Sequence, residues 1–313
     1  MQTRRRFIAS SLGTTATFVF AGNHEASAQE ASITTAQMRA AGRLAKLTIE
    51  PLRNNVSLVS GSGGNVLVLP GSDGTLVIDN GLATSKAQMS RALQSISSGP
   101  LRYLINTHWH FDHTDGNAWM HEAGATIFAH EKTLYRMRHR QFIPEFEGVY
   151  PPSPSGALPT ITFDHTRTLQ ANGQEITLTR YTPAHTDTDI SVFLRDADVL
   201  HAGDSFFSRF YPFIDYNSGG NIDGMIEACR ETLALIGPST IVVGGHGPAG
   251  GRADVLAFEQ MLAEVRGKVA ALKGSGASAK EVIASKPSAS FDSKWGNGFI
   301  SPDLFTWLVY RGV

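Results

Sequence analysis

The 313-residue chain is 42% hydrophobic and 18% charged, with a formal net charge of −1. This composition excludes extended disorder and supplies a well-buried globular core, as one large domain or two small ones. The near-even charge balance speaks against a nucleic-acid binder.

In chain order, MQTRRRFIASSLGTTATFVFAGNHEASA comes first, with a basic start, a short apolar stretch and small residues at Ala26, Ser27 and Ala28. It predicts an export signal over residues 1–28, leaving 29–313 as a single mature domain with C-terminal helices. The run from Phe7 to Gly22 is broken by Ser, Thr and Gly and falls short of the roughly 18 apolar residues of a membrane span. No stable membrane anchor is therefore expected after cleavage; an uncleaved anchor is the alternative. Thr3-Arg4-Arg5-Arg6-Phe7-Ile8 resembles the twin-arginine signature, which implies a periplasmic or secreted bacterial protein. Cleavage after Ala28 removes three Arg and one Glu, leaving 24 basic against 27 acidic residues and a net charge near −3.

From about Leu47, NVSLVS, NVLVLP and GTLVIDNG read as strands of hairpins, punctuated by glycines. TSKAQMSRALQSISS places Met89, Leu93 and Ile96 on one helical face, and RYLINT returns as a strand. Residues 114–123 predict a helix, ATIFA a strand, and EKTLYRMRHRQF a second helix with a solvated arginine face. Prolines from Ile143 to Pro159 predict a loop. Strands return at EITLTRYT, DISVFLR and DVLHAGD, followed by the aromatic loop SFFSRFYPFIDYNSGG, a helix, the strand TIVVGGH and three closing helical stretches. Strands with interspersed helices in both halves suggest one layered α/β domain. The single cysteine, Cys229, shares a helical face with Ile222, Met225, Ile226, Leu233 and Ile236, so it reads as a core residue and not a nucleophile.

The chemistry concentrates in NTHWHFDHTDGN, residues 106–117. His108 and His110 lie two apart at a strand end, so their rings project to one side and can grip one ion. Asp112 and His113 follow as the chain turns, and four potential ligands in six residues exceed what one zinc site needs. Two neighbouring ions would account for the surplus, with further ligands from a distance. Three sites at the ends of strand-like runs are candidates: His185 in TPAHTDTD, Asp204 in HAGDSF and His246 in VGGHGP. His121, His130, His139 and His165 read as surface or loop residues, and His201 as a core histidine or a support for the site.

HWHFDH, followed in order by AHT, GD and GHG over roughly residues 50–265, closely resembles the metallo-β-lactamase superfamily. The resemblance implies an α/β fold, a four-layer αββα sandwich with the site at one edge between the sheets. It implies His108, His110 and His185 on a first metal, Asp112, His113 and His246 on a second, and Asp204 bridging them. Asp79, ending GTLVID, matches a position that supports a ligand imidazole. Two Zn2+ per chain are expected, with iron or manganese as alternatives. A metal-bridging hydroxide would open a carbonyl bond in a cyclic amide, ester or lactone, β-lactam included, while Asp112 orients it and carries a proton.

Substrate choice is expected from the aromatic loop, where Phe207, Arg209, Tyr211 and Asn217 are candidates beside Phe206, Phe210, Phe213 and Tyr216. By ligand set the chain resembles glyoxalase II-like and lactonase-like members, which carry the bridging aspartate; its export resembles that of β-lactamases. The alternatives are an iron-dependent enzyme like the persulfide dioxygenases, a thioester hydrolase like glyoxalase II, and a noncatalytic binding protein on the same scaffold.

Overall fold

A computed structural model describes residues 33–313; the export signal expected over residues 1–28 lies outside the described residues. Thr34 opens helix α1 (Thr35–Gly42): its hydroxyl accepts from Gln37 N–H while the Gln37 side chain accepts from Thr34 N–H, a reciprocal cap. Strands β1 (Thr48–Pro51), β2 (Ser57–Ser60), β3 (Val66–Leu69) and β4 (Thr75–Ile78) pair antiparallel in succession. Helix α2 (Lys86–Ile96) crosses to β5 (Leu101–Ile105), which lies parallel to β4. Short helices α3 (Phe111–Thr114) and α4 (Asn117–Glu122) lead to β6 (Thr126–His130) and α5 (Glu131–Arg138). The hairpin β7 (Gln141–Ile143) and β8 (Gly148–Tyr150) precedes β9 (Ile161–Phe163), which completes the first sheet in the order β1-β2-β3-β4-β5-β6-β9.

The second sheet runs β10 (Thr166–Ala171), β11 (Gln174–Arg180), β12 (Ile190–Leu194), β13 (Val199–His201) and β14 (Ile241–Val243). Helix α6 (Ile222–Leu235) joins β13 to the parallel β14. Helices α7 (Arg252–Gly274), α8 (Ala279–Ala284), α9 (Asp292–Trp295) and α10 (Pro302–Gly312) follow.

The period of two along each strand builds the layers. Leu58, Leu67, Leu69, Leu76, Ile78 and Ile105 face Ile176, Leu178, Ile190, Val192, Leu194, Val199 and Val243 in one core between the sheets. Their alternates Val59, Val66, Val68, Val77 and Leu104 turn outward onto Met89, Ala92 and Leu93 of α2 and Met120 of α4. On the far side, Phe193, Leu200 and Val242 meet α6, α7 and α10. The result is an αββα sandwich whose central strands are apolar on both faces because both faces are covered.

The structure differs from the sequence reading in several places. The helix expected through Phe142 stops at Arg138, and the chain turns into β7. The stretch from Ile143 to Pro159 holds the β7–β8 hairpin, whose three-residue strands are too short to show a period. Four helices, not three, close the chain. The arginine face of α5 is only partly solvated, since Arg136 donates to both Asp187 carboxylate oxygens at 3.1 and 3.0 Å. His130 is no surface residue: it is fully buried, accepts from Lys132 N–H at the start of α5 and meets the Asp164 carbonyl at 2.7 Å. Cys229 is buried on α6, and burial raises its thiol pKa.

Candidate metal centre

Every candidate ligand leaves the same edge of the sandwich. Asp79 ends β4, His108 to His113 follow β5, Asp204 follows β13, His246 follows β14, and His185 lies in the loop entering β12. Hydrogen bonds between loops fix this edge: Asp79 N–H to Ile105 O at 2.8 Å, Ile190 N–H to Thr107 O at 2.9 Å and Asn65 N–H to Gly245 O at 2.7 Å. Two close approaches require glycine. A Cβ at Gly64 would enter the His113 ring, and one at Gly245 would strike Asp204 Oδ1.

Two groups result. Ligand atoms of His108, His110, His185 and Asp204 lie within 4.8 Å of one another, and so do those of Asp112, His113 and His246. Asp204 faces both: its carboxylate is 3.5 Å from His185 Nε2, 3.1 Å from His113 Nε2 and 3.4 Å from His246 Nε2.

The partners of the opposite ring nitrogens select which lone pair each imidazole presents. His113 Nδ1 donates to Asp79 Oδ2 at 2.7 Å, and His110 Nε2 donates to Asp215 Oδ2 at 3.0 Å. His185 Nδ1 donates to Phe213 O at 2.8 Å, and His108 Nδ1 meets the Thr107 hydroxyl at 3.1 Å. The nitrogens left over converge, His185 Nε2 and His110 Nδ1 standing 2.8 Å apart. His108 Nε2, His113 Nε2 and Asp204 Oδ1 are buried without a hydrogen-bond partner. The last two are 3.1 Å apart but lack the alignment of a hydrogen bond. An unpaired buried polar atom costs about 1–3 kcal/mol, so three such atoms aimed at one region fit a cation held by nitrogen and oxygen donors.

Asp79 is held in the left-handed region at φ 59°. Its carboxylate also accepts from the Thr107 N–H and hydroxyl at 2.8 and 2.7 Å, which fixes it under His113.

The electrostatics follow from burial and mutual attraction. Burial, aided by neighbouring imidazoles and opposed by Asp204, lowers the pKa of His108 and His185 and favours the neutral form that ligates. Burial would also lower His246, but Asp204 and Asp112 outweigh it and raise that imidazole to about 9. Burial would raise Asp112, yet His113 and His246 bring its carboxyl down to about 2. His246 thus holds a proton at neutral pH that a metal must displace. Zinc affinity is expected to rise with pH up to about 9, roughly tenfold per unit for each displaced proton. Chelator competition at pH 6, 7 and 8 checks this, and a flat profile contradicts it.

A cavity of about 280 Å3 opens onto the cluster, with His110, Asp112, His185, Asp204 and His246 at its floor. Its walls come from α1, the turn between β2 and β3, Leu82, Phe111 at the start of α3, the β7–β8 hairpin, the segment before α10 and, within the aromatic loop, Phe213. The other residues expected to meet substrate are placed elsewhere. Phe207 is buried and stacks on His246 at 5.3 Å, supporting the imidazole from outside the cavity. Tyr211 is buried, stacks on Phe305 at 4.4 Å and donates to Asp292 at 2.7 Å. Arg209 is exposed at a turn with φ 66°, and the Asn217 amide donates to Phe142 O at 3.2 Å. The loop passes beneath α9 and α10, so the core takes up most of its aromatic surface.

Sequence reasoning missed Asp215, fully buried against His110. Its signal was a lone carboxylate in an otherwise apolar stretch, FYPFIDY. Asp215→Ala is expected to lower metal affinity about 10- to 100-fold, the usual cost of removing a carboxylate that orients a ligand histidine. Zinc titration against a competing chelator measures it, and unchanged affinity would show that Asp215 does not orient His110. His201 proves to be a core histidine, with Nε2 3.1 Å from Asn65 O.

Comparison with known proteins follows the same lines. The family model described as Metallo-beta-lactamase superfamily matches residues 59–246. The chain is 33% identical over 70 residues to the "Probable metallo-hydrolase YqgX" of Bacillus subtilis (strain 168), covering 22% of this chain and 33% of that protein. It is 28% identical over 166 residues to the "2,4-dinitroanisole O-demethylase subunit alpha" of Nocardioides sp. (strain JS1661), covering 52% of this chain and 47% of that protein. The matches therefore span between a third and a half of these relatives' lengths. Among solved structures, the metallo-beta-lactamase from Pontibacter korlensis superposes with a TM-score of 0.56 at 16% identity, over 70% of this chain and 99% of the other.

Proposed function

The chain belongs to the metallo-β-lactamase superfamily, and from that premise we propose that it is a dinuclear zinc hydrolase that opens a carbonyl bond in a small molecule, an ester, lactone or cyclic amide. The observation that carries the proposal is Asp204, whose carboxylate faces both ligand groups while its own Oδ1 and the neighbouring His108 Nε2 and His113 Nε2 are buried without hydrogen-bond partners. In this reading His108, His110 and His185 hold one ion, Asp112, His113 and His246 the other, and Asp204 lies between. Zinc, when bound, supplies Lewis acidity and lowers the pKa of water towards neutrality.

The chain's own groups do the rest. Asp112, 16% exposed at the cavity floor, is placed to accept a proton from the attacking water and pass it to the leaving group. Asp79 and Asp215 hold their imidazoles in the ligating tautomer. A mononuclear iron enzyme would leave the group of Asp112, His113 and His246 without a role. Export to the periplasm is part of the proposal and rests on the residues before the described structure.

Metal analysis of the purified chain with a panel of a chromogenic cephalosporin, a homoserine lactone, an aryl ester and a thioester tests the proposal. About two zinc per chain and cleavage of at least one compound are expected. One iron per chain, or zinc-loaded protein inert to the whole panel, overturns it.

A further inference from the structure

The cavity above the ligand cluster says more about substrate than the aromatic loop does. Its walls are Met38 of α1, Leu82, Phe111, Phe146, Phe213 and Phe299. Two arginines adjoin these walls, and both are committed elsewhere. Arg39, next to Met38, donates two 2.8 Å bonds to Asp115 and lies over the Phe111 ring. Arg311 pairs with the buried Glu145, next to Phe146, at 2.6 Å. Among the described residues, no lysine or arginine lines the cavity. Ser62, a polar wall residue outside the ligand cluster, donates its hydroxyl proton to Ser85.

Charge at the floor adds no pull on an anion. Asp79, Asp112, Asp204 and Asp215 form a set of four buried or half-buried carboxylates, whose formal charge equals that of two divalent cations in magnitude. A carboxylate on the distal part of a substrate would therefore be stripped of water with neither a fork of N–H donors nor a net field to receive it. An apolar group gains from the same walls. The volume of about 280 Å3 exceeds the roughly 150 Å3 that holds a benzene ring, leaving room for a phenyl or hexyl group beside the reacting carbonyl.

We infer that this cavity selects substrates whose buried part is uncharged and apolar, and that it discriminates against those carrying a distal carboxylate, carboxylate-bearing β-lactams among them. The kinetic side of this inference rests on the hydrolase reading; the binding side does not.

The test uses the zinc-loaded chain and two matched pairs. The first is p-nitrophenyl hexanoate against the mono-p-nitrophenyl ester of adipic acid, which differ by a terminal carboxylate. The neutral ester is expected to lead in kcat/KM on the order of 100-fold. The second pair is phenylacetamide against 4-carboxyphenylacetamide, followed by calorimetry without turnover, and the neutral amide is expected to bind at least about tenfold tighter. Met38→Lys, a half-buried position at the cavity wall, should shrink the ester ratio at least about tenfold by supplying a cation.

Equal or better handling of the carboxylate member in either pair overturns the inference, as does an ester ratio unmoved by Met38→Lys or no binding of either amide. If neither these esters nor any compound of the panel above is cleaved while the neutral amide still binds selectively, the hydrolase reading falls and the inference about the cavity stands.

Discussion

Asp112→Asn is expected to lower kcat by about 100- to 10,000-fold while zinc content at saturating metal stays near two per chain. The range is that of a lost general acid–base group. Asp112 lines the cavity and its carboxylate lies 3.3 Å from His246 Nε2, so it is both near the reacting atoms and partly open to them. His113 and His246 offset the effect of burial and hold its carboxyl down at about 2, which keeps it anionic across the working range. An amide of the same shape keeps an oxygen for the cluster but cannot take a proton at neutral pH. Steady-state kinetics paired with metal analysis on the same sample separate the two roles. Turnover unchanged from wild type would remove Asp112 from the chemistry, and loss of metal with loss of turnover would make it chiefly a ligand.

Asp204→Ala is expected to cost at least about 100-fold in affinity for one of the two ions, beyond the range seen when only a supporting carboxylate is removed. Asp204 approaches imidazoles of both groups, at distances of 3.1 to 3.5 Å. Its removal leaves His113, His185 and His246 without their shared counter-charge. The raised pKa of His246, which comes chiefly from Asp204 acting against burial, should fall in the variant. The proton that metal must displace is then held less tightly, so the pH dependence of the remaining affinity should flatten. Titration with zinc at pH 6 and 8 reads both effects. Two ions bound with wild-type affinity would rule out a shared carboxylate.

The sandwich and the cluster were readable in the sequence for a common reason. Strands β2 to β5 and β12 to β14 carry apolar residues on both faces, and β11 on one, in short runs ending in glycine or a polar turn, and the candidate ligands stand past the ends of several of them. Asp215, His130 and the cavity walls were not readable in the same way. A buried carboxylate in a loop or a buried histidine at a strand end takes its meaning from a partner 105 or 34 residues away, which no local period encodes. The aromatic loop shows the converse: Phe207 and Tyr211 looked like substrate contacts from composition, but His246 takes the face of Phe207 while α9 and α10 claim the surface around Tyr211. Helix α1 did leave a local trace in Thr34-Thr35-Ala36-Gln37, a capping box. Its place over the cavity comes from Arg39 and Asp115, 76 residues apart.

Helix α1 and the ligand edge are held by different means. The edge is stitched by backbone hydrogen bonds between two sheets, whereas α1 is pinned by Arg39 to Asp115 and by the Thr35 hydroxyl against Tyr150. For directed evolution this divides the protein into a reaction cassette and an interchangeable wall. A combinatorial library at Met38, Ala41, Phe146 and Phe299 samples new cavity shapes while all seven ligand side chains and their supporting carboxylates stay constant.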